Sequence, residues 1–208
     1  TITSSGVVNG ASFSAGISPG SWLTIFGSNL APAGVARSWT GTDIVNGTLP
    51  LTLENTQVKI NGKLAAIAYV SPTQLNVQAP ADSSTGTVAV EVIVNGVASD
   101  SAFADLRAAA PGFFRFSPDS YKYLAAVHSD GTLVGASGLI NGVQTVAAKP
   151  GETILLFGTG FGATDPAVAP GVAFSGAAPL ASGNALAIRV GGVAAQVTFA
   201  GLSSTGLY

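Results

Sequence analysis

Apolar and polar residues alternate in short runs along this chain, and the runs are separated by Gly, Pro and Asn. Val88, Val90, Val92 and Val94 alternate with Ala89, Glu91 and Ile93, the period-2 pattern of a half-buried strand. In Leu23-Thr24-Ile25, Leu23 and Ile25 point to one face, the expected core, and Trp22 points to the other. Val58 and Ile60 lead into Asn61-Gly62, with strand residues resuming at Leu64. Asn-Gly tolerates the left-handed backbone of a two-residue hairpin turn, and Asn95-Gly96 repeats the signal. Residues 123–137 read as a further hairpin turning at Asp130-Gly131. The pattern predicts an all-β chain.

The pattern recurs. Residues 17–30, ISPGSWLTIFGSNL, match residues 148–161, AKPGETILLFGTGF, at an offset of 131. Residues 58–70, VKINGKLAAIAYV, match residues 188–200, IRVGGVAAQVTFA, at an offset of 130. Two collinear matches indicate one unit duplicated. Two tandem β-sandwich domains are expected, at 1–112 and 113–208, joined near AAAPGFFRF (108–116). Ile154 and Leu156 take the core positions of Leu23 and Ile25, and Gly191-Gly192 takes the turn of Asn61-Gly62. Gly27 and Gly158 end equivalent strands, where a close backbone approach or a positive φ is expected. Residues 31–47 and 163–178 read as long loops, where function often sits. Leu207-Tyr208 align with Leu75-Asn76, so the second domain is expected to lack its last strands here. Either residues beyond Tyr208 supply them, or another chain adds a strand.

Composition narrows the function. Charged residues are 9% of the 208, against roughly 25% in an average protein, so a helical architecture is disfavoured. The net charge of −2 and the lack of a basic stripe argue against nucleic acid. No apolar run approaches the ~20 residues of a membrane span. Without Cys there are no disulfides, thiolate metal sites or cysteine nucleophiles. Without Met the chain reads as a processed or excised segment. Low charge, abundant Gly, Ser, Thr and Ala, and no Cys suit a bacterial exported protein, extracellular or at the cell surface.

Candidate chemistry is sparse. GTGFGA (158–163) lacks the helix a dinucleotide fingerprint needs, since Thr164-Asp165-Pro166 follows. The only histidine, His128, is expected on a hairpin surface on the same side as Asp130. Asp43 and Asp165 lie in the long loops, where a weak calcium site is conceivable, but no D-x-D-x-D-G loop occurs. No catalytic residue, cofactor or metal is assigned. Trp22, Trp39, Tyr121 and Tyr123 are the candidate ligand or partner surface, because exposed rings stack on sugars and anchor protein contacts.

The segments VVNGASF, ISPGSWLTIFGSNLAP, VKINGKLAAIAYVSPTQLNVQAP and KPGETILLFGTGFG resemble a C-terminal domain family of large exported proteins abundant in acidobacteria. That family is itself similar to the IPT/TIG immunoglobulin-like fold. The resemblance implies two tandem immunoglobulin-like sandwiches and an exported, modular protein without assigned catalytic residues. The function expected from it is a non-catalytic structural, adhesive or assembly module of a larger protein. Its partners would be other domains or neighbouring subunits, engaged in part by strand addition at the second domain. The alternative is a carbohydrate-binding module that stacks polysaccharide on Trp22 and Trp39, which requires exposed, roughly coplanar rings.

Overall fold

The computed structural model describes residues 1–116, 123–183 and 186–208. Strands dominate, with one 3-10 turn at Gly41–Asp43 among the described residues. The first ten strands are β1 (Ile2–Asn9), β2 (Trp22–Gly27), β3 (Arg37–Ser38), β4 (Thr56–Ile60), β5 (Lys63–Leu64), β6 (Ala66–Val70), β7 (Gln74–Gln78), β8 (Gly86–Val94), β9 (Val97–Ala98) and β10 (Ala102–Leu106). They form two antiparallel sheets, ordered β1-β2-β7-β6-β3 and β10-β8-β4-β5, with β9 also on β8.

The sheets are stacked because each strand has one apolar side. Leu23 and Ile25 of β2, Leu75 and Val77 of β7 and Ile67 of β6 belong to the same buried cluster as Val58 and Ile60 of β4 and Val88, Val90 and Val92 of β8. Ile17, on the approach to β2, bridges to Leu106 at the end of β10 and ties the two sheets at one edge. This is an immunoglobulin-like β-sandwich. Asn61 and Gly62 adopt φ of 51° and 76°, and Asn95 and Gly96 adopt 51° and 81°, so both two-residue turns are left-handed as their sequence requires.

The remaining strands are β11 (Gly112–Phe113), β12 (Ala126–His128), β13 (Leu133–Val134), β14 (Thr145–Val146), β15 (Ile154–Leu156), β16 (Gly158–Thr159), β17 (Ser175–Pro179), β18 (Ile188–Val190), β19 (Val193–Ala195) and β20 (Gly201–Ser204). They make smaller sheets: β14-β13-β12-β15, β11-β16, β17-β20 and β18-β19. The Asp130-Gly131 and Gly191-Gly192 hairpins are both formed. Alternation persists in β15, where Ile154 and Leu156 are half-buried while Leu155 is 45% exposed. The extended cluster of buried apolar side chains nevertheless lies wholly between Val7 and Leu106. Beyond it, among the described residues, the buried apolar side chains are Ala110, Ala126, Phe161, Ala178 and Leu202.

Gly27 and Gly158 each sit where a backbone closes in. A Cβ on Gly27 would lie 2.3 Å from the Thr1 carbonyl oxygen, and one on Gly158 would lie 2.5 Å from that of Gly112. Neither has a positive φ, so close approach is the reason glycine stands there.

Candidate functional site

Of the residues singled out in the sequence, Trp22 and Trp39 meet where the second half of the chain returns to the first. β2 carries Trp22 at its first position, on the face away from the core. Its backbone N–H donates to Thr159 Oγ1 at 2.9 Å, and its indole Nε1–H donates to the Thr205 carbonyl at 2.8 Å. Thr159 is fully buried, and its hydroxyl donates in turn to the Gly206 carbonyl at 2.8 Å. Trp22 is thus fastened by its backbone and its ring tip to residues 137 and 183 positions away.

Trp39 follows β3 and donates its backbone N–H to the Ala68 carbonyl at 2.9 Å. Its half-buried ring packs against the core cluster and meets Trp22 at 5.5 Å between centroids, with planes 74° apart. The two tryptophans are therefore together but edge to face. A coplanar pair is not formed, because Trp22 is turned to reach Thr205. Tyr123 is half-buried, with its carbonyl accepting from the Phe116 N–H at 3.3 Å. Tyr121 lies outside the described residues.

The two long loops read from the sequence meet each other. Leu49 N–H donates to the Gly171 carbonyl at 2.9 Å, and Ala173 N–H donates to the Gly47 carbonyl at 2.7 Å. Gln78, almost fully buried at the end of β7, ties both halves: its Nε2 donates to the Gly20 carbonyl at 3.0 Å and its Oε1 accepts from Gly171 N–H at 2.8 Å. Beside these bonds lies a cleft of about 600 Å³, lined in part by Lys63, Asp82, Arg107, Pro170 and Tyr208. The Tyr208 ring packs on Phe161 at 5.5 Å, its hydroxyl donates to the Gly162 carbonyl, and burial pushes its phenol up to about 12.

Sequence reading did not find Thr159, Thr205 or Gln78. Their partners are distant in sequence, and the only local signal is a hydroxyl directly after the Phe157-Gly158 strand end.

Residues 11–106 match the family model of the IPT/TIG domain. No curated protein and no solved structure matches the chain. The matched segment runs to the last residue of β10, so the match coincides with the two stacked sheets and their core, apart from β1, and supports an immunoglobulin-like domain there. The IPT/TIG domain is typically a non-catalytic module of larger proteins. No helix among the described residues is long and apolar enough to cross a membrane.

Of the two loop acids, Asp43 is engaged within the chain. Asp43 pairs with Arg37 at 2.9 Å and accepts from Thr40 N–H at 2.7 Å. The Arg37 guanidinium, then the Thr40 N–H, hold its carboxyl well below the usual range. Among the described residues no cluster of three or more His, Asp or Glu side chains could hold a metal ion.

His128 departs from expectation. It is 7% exposed rather than on the surface, because β12 runs between β13 and β15 and turns the ring inward. Its Nε2 faces the Val146 carbonyl at 3.0 Å and its Nδ1 contacts Glu152 Oε1. A neutral imidazole has one N–H and can satisfy one of these acceptors; the imidazolium satisfies both. The Val146 carbonyl, then Glu152, therefore raise the His128 pKa, against the opposing effect of burial. Lys149 N–H, then His128, lower that of Glu152. A raised histidine stabilises the fold fully below its unfolded value of about 6.5, and that part is lost as pH rises through the folded pKa. Lowered Glu152 stabilises above about 4.3, and its part is lost on acidification. The melting temperature should therefore be highest between about pH 4.5 and 6.5 and fall above it, and His128→Gln should remove the upper limb. With one histidine in the chain, a proton NMR titration reads this directly. An imidazole midpoint below that of a free histidine would contradict it.

Proposed function

We propose that the chain is a non-catalytic structural, adhesive or assembly module of an exported bacterial protein, outside the cell or at its surface. It consists of two tandem immunoglobulin-like units, 1–112 and 113–208, that work through protein contacts made by sheet edges and loops. The observation that carries this reading is the junction. Trp22, the most prominent candidate for a ligand surface, spends both of its N–H groups on holding the two halves together. The IPT/TIG match over residues 11–106 supports the same reading, because such domains serve as modules beside other domains.

The second reading is carbohydrate binding. It rests on the meeting of Trp22 and Trp39, although their half-buried rings stand edge to face rather than in the exposed, coplanar arrangement that sugar stacking prefers.

A panel of soluble and insoluble polysaccharides separates the two. On the module reading, pull-down recovers none of the chain and tryptophan fluorescence does not titrate. Saturable binding that is lost in Trp39→Ala would overturn it in favour of the sugar-binding reading.

A further inference from the structure

We propose that Asn95 and Asn141 are sites of spontaneous deamidation, and that the fold holds the other Asn-Gly pairs of the chain against the same reaction. This goes beyond the module reading and does not depend on it.

The sequence invites the reaction at five places. Asn-Gly occurs at 9–10, 46–47, 61–62, 95–96 and 141–142. In such a pair the backbone nitrogen of the glycine attacks the side-chain carbonyl carbon of the asparagine, and glycine has no Cβ to hinder the approach. A bond forms between that nitrogen and Cγ, and the bond from Cγ to the side-chain nitrogen breaks. The side-chain nitrogen leaves as ammonia, taking up the proton of the glycine N–H. Water then opens the cyclic imide at one of its two carbonyls, giving aspartate or isoaspartate. Water is the only co-reactant, and nothing is oxidised or reduced. In a folded chain the asparagine amide must be free to turn onto its own backbone, the glycine N–H must be unspent, and the turn must open for the atoms to meet.

Three of the pairs fail these conditions, each for its own reason. Asn9 is 2% exposed, its Nδ2 donates to the Ala110 carbonyl at 2.8 Å, and its Oδ1 accepts from Ala11 and Ser12 N–H at 2.8 and 3.0 Å. Its would-be nucleophile is also spent, because Gly10 N–H donates to the Trp22 carbonyl at 2.8 Å. Asn61 is exposed, but its Nδ2 donates to Asp82 Oδ2 at 2.9 Å and to Ser84 Oγ at 3.0 Å, which fixes the amide away from its backbone. Asn46 has an exposed side chain in a clamped turn. Val45 and Thr48 exchange both backbone bonds, at 3.1 and 2.9 Å, and Gly47 and Leu49 bond to Ala173 and Gly171. That turn opens only if the two long loops part.

Asn95 and Asn141 meet all three conditions. Both are exposed, and among the described residues their side-chain amides make no hydrogen bond. Neither Gly96 nor Gly142 spends its N–H on an acceptor among the described residues. The turn at Asn95 is held by β9, which is two exposed residues long, and by one bond from Asn95 N–H to the Asn55 carbonyl at 3.0 Å. The turn at Asn141 is closed by one bond from Val143 N–H to the Ile140 carbonyl, at 3.2 Å. Conversion has a structural consequence at the first site. Isoaspartate routes the backbone through the former side chain, so the left-handed turn with φ of 51° and 81° is lost, and with it the pairing of Val94 with Val97. Each event also adds one negative charge to a chain whose net charge is −2.

The test incubates the full chain in mildly alkaline buffer, native in one sample and unfolded in guanidinium chloride in another. Both are digested and read by tandem mass spectrometry, where each conversion adds about 1 Da. Unfolded, all five pairs should convert at similar rates. Native, Asn95 and Asn141 should convert within about tenfold of their unfolded rates, and Asn9, Asn46 and Asn61 should lag theirs by about a hundredfold or more. Asp82→Ala frees the Asn61 amide from its carboxylate anchor and should speed Asn61 about tenfold without changing Asn95. Ser84→Ala, which removes the second anchor, should act in the same direction. Isoaspartate should elute as a second peak of equal mass, which direct hydrolysis of the amide does not give. The proposal is overturned if native Asn95 and Asn141 stay intact while the unfolded sample converts, or if aspartate is the sole product. It is equally overturned if Asn9, Asn46 or Asn61 converts in the native chain as fast as Asn95.

Discussion

Ile25→Ala is expected to lower stability by about 3 kcal/mol, while Leu156→Ala, at the matching position of the second half, is expected to cost about 1 kcal/mol. Ile25 is fully buried at the centre of the first sheet, opposite Val7 on β1 and Leu75 on β7, and is a member of the continuous core cluster. Its removal leaves a cavity that two stacked sheets cannot collapse to fill, which adds to the lost transfer energy. Leu156 occupies the corresponding place in β15 but is only half-buried, with no extended cluster around it, so its truncation leaves space that water can enter. Urea unfolding monitored by circular dichroism measures both, provided the slope m is unchanged. Equal costs would mean that the second half has a packed core of its own around Leu156.

Gly160→Ala is expected to cost roughly 3 kcal/mol, through the contact between the halves. Gly160 has a φ of 82°, and a Cβ there would lie 2.4 Å from the Ala110 carbonyl oxygen and 3.2 Å from Ser18 Oγ. Its carbonyl accepts from Ala110 N–H at 2.9 Å and from the Ser18 hydroxyl at 3.4 Å. The substitution therefore combines left-handed strain with a backbone collision, and relief would require β11 and β16 to separate. Gly151→Ala isolates the first effect. Gly151 has nearly the same φ, 81°, with nothing within 4 Å of the added carbon, so about 1 kcal/mol of conformational cost is expected there alone. If the two variants lose the same stability, the junction is looser than its geometry implies.

Features that depend on near neighbours were legible in the sequence. Alternating valines placed β8, Asn-Gly pairs placed two turns, and the glycine ending β2 marked a close approach. Features set by distant partners were not. Thr24 is polar and on the outer face of β2, yet it is buried, since β2 is flanked on both sides by β1 and β7 in a five-stranded sheet. His128 gave no sign of burial, because its acceptors come from β14 and from the turn before β15. Of the candidate site, the sequence supplied Trp22 and Trp39 but neither the edge-to-face contact nor the indole bond to Thr205, both of which need the third dimension. The long loops were legible as places of interest; that they hydrogen-bond each other was not.

Hydrogen exchange of the intact chain tests most directly whether the two halves act as one unit. Amides that cross between them include those of Trp22, Leu49, Gly171 and Ala173, bonded to Thr159, Gly171, Gln78 and Gly47, together with that of Ala110 at its contact with Gly160. If the halves open only together, these amides should be protected to within about tenfold of the core amides of β2 and β7. Exchange at these sites orders of magnitude faster than in the core would mean that the halves separate independently, and would contradict the account.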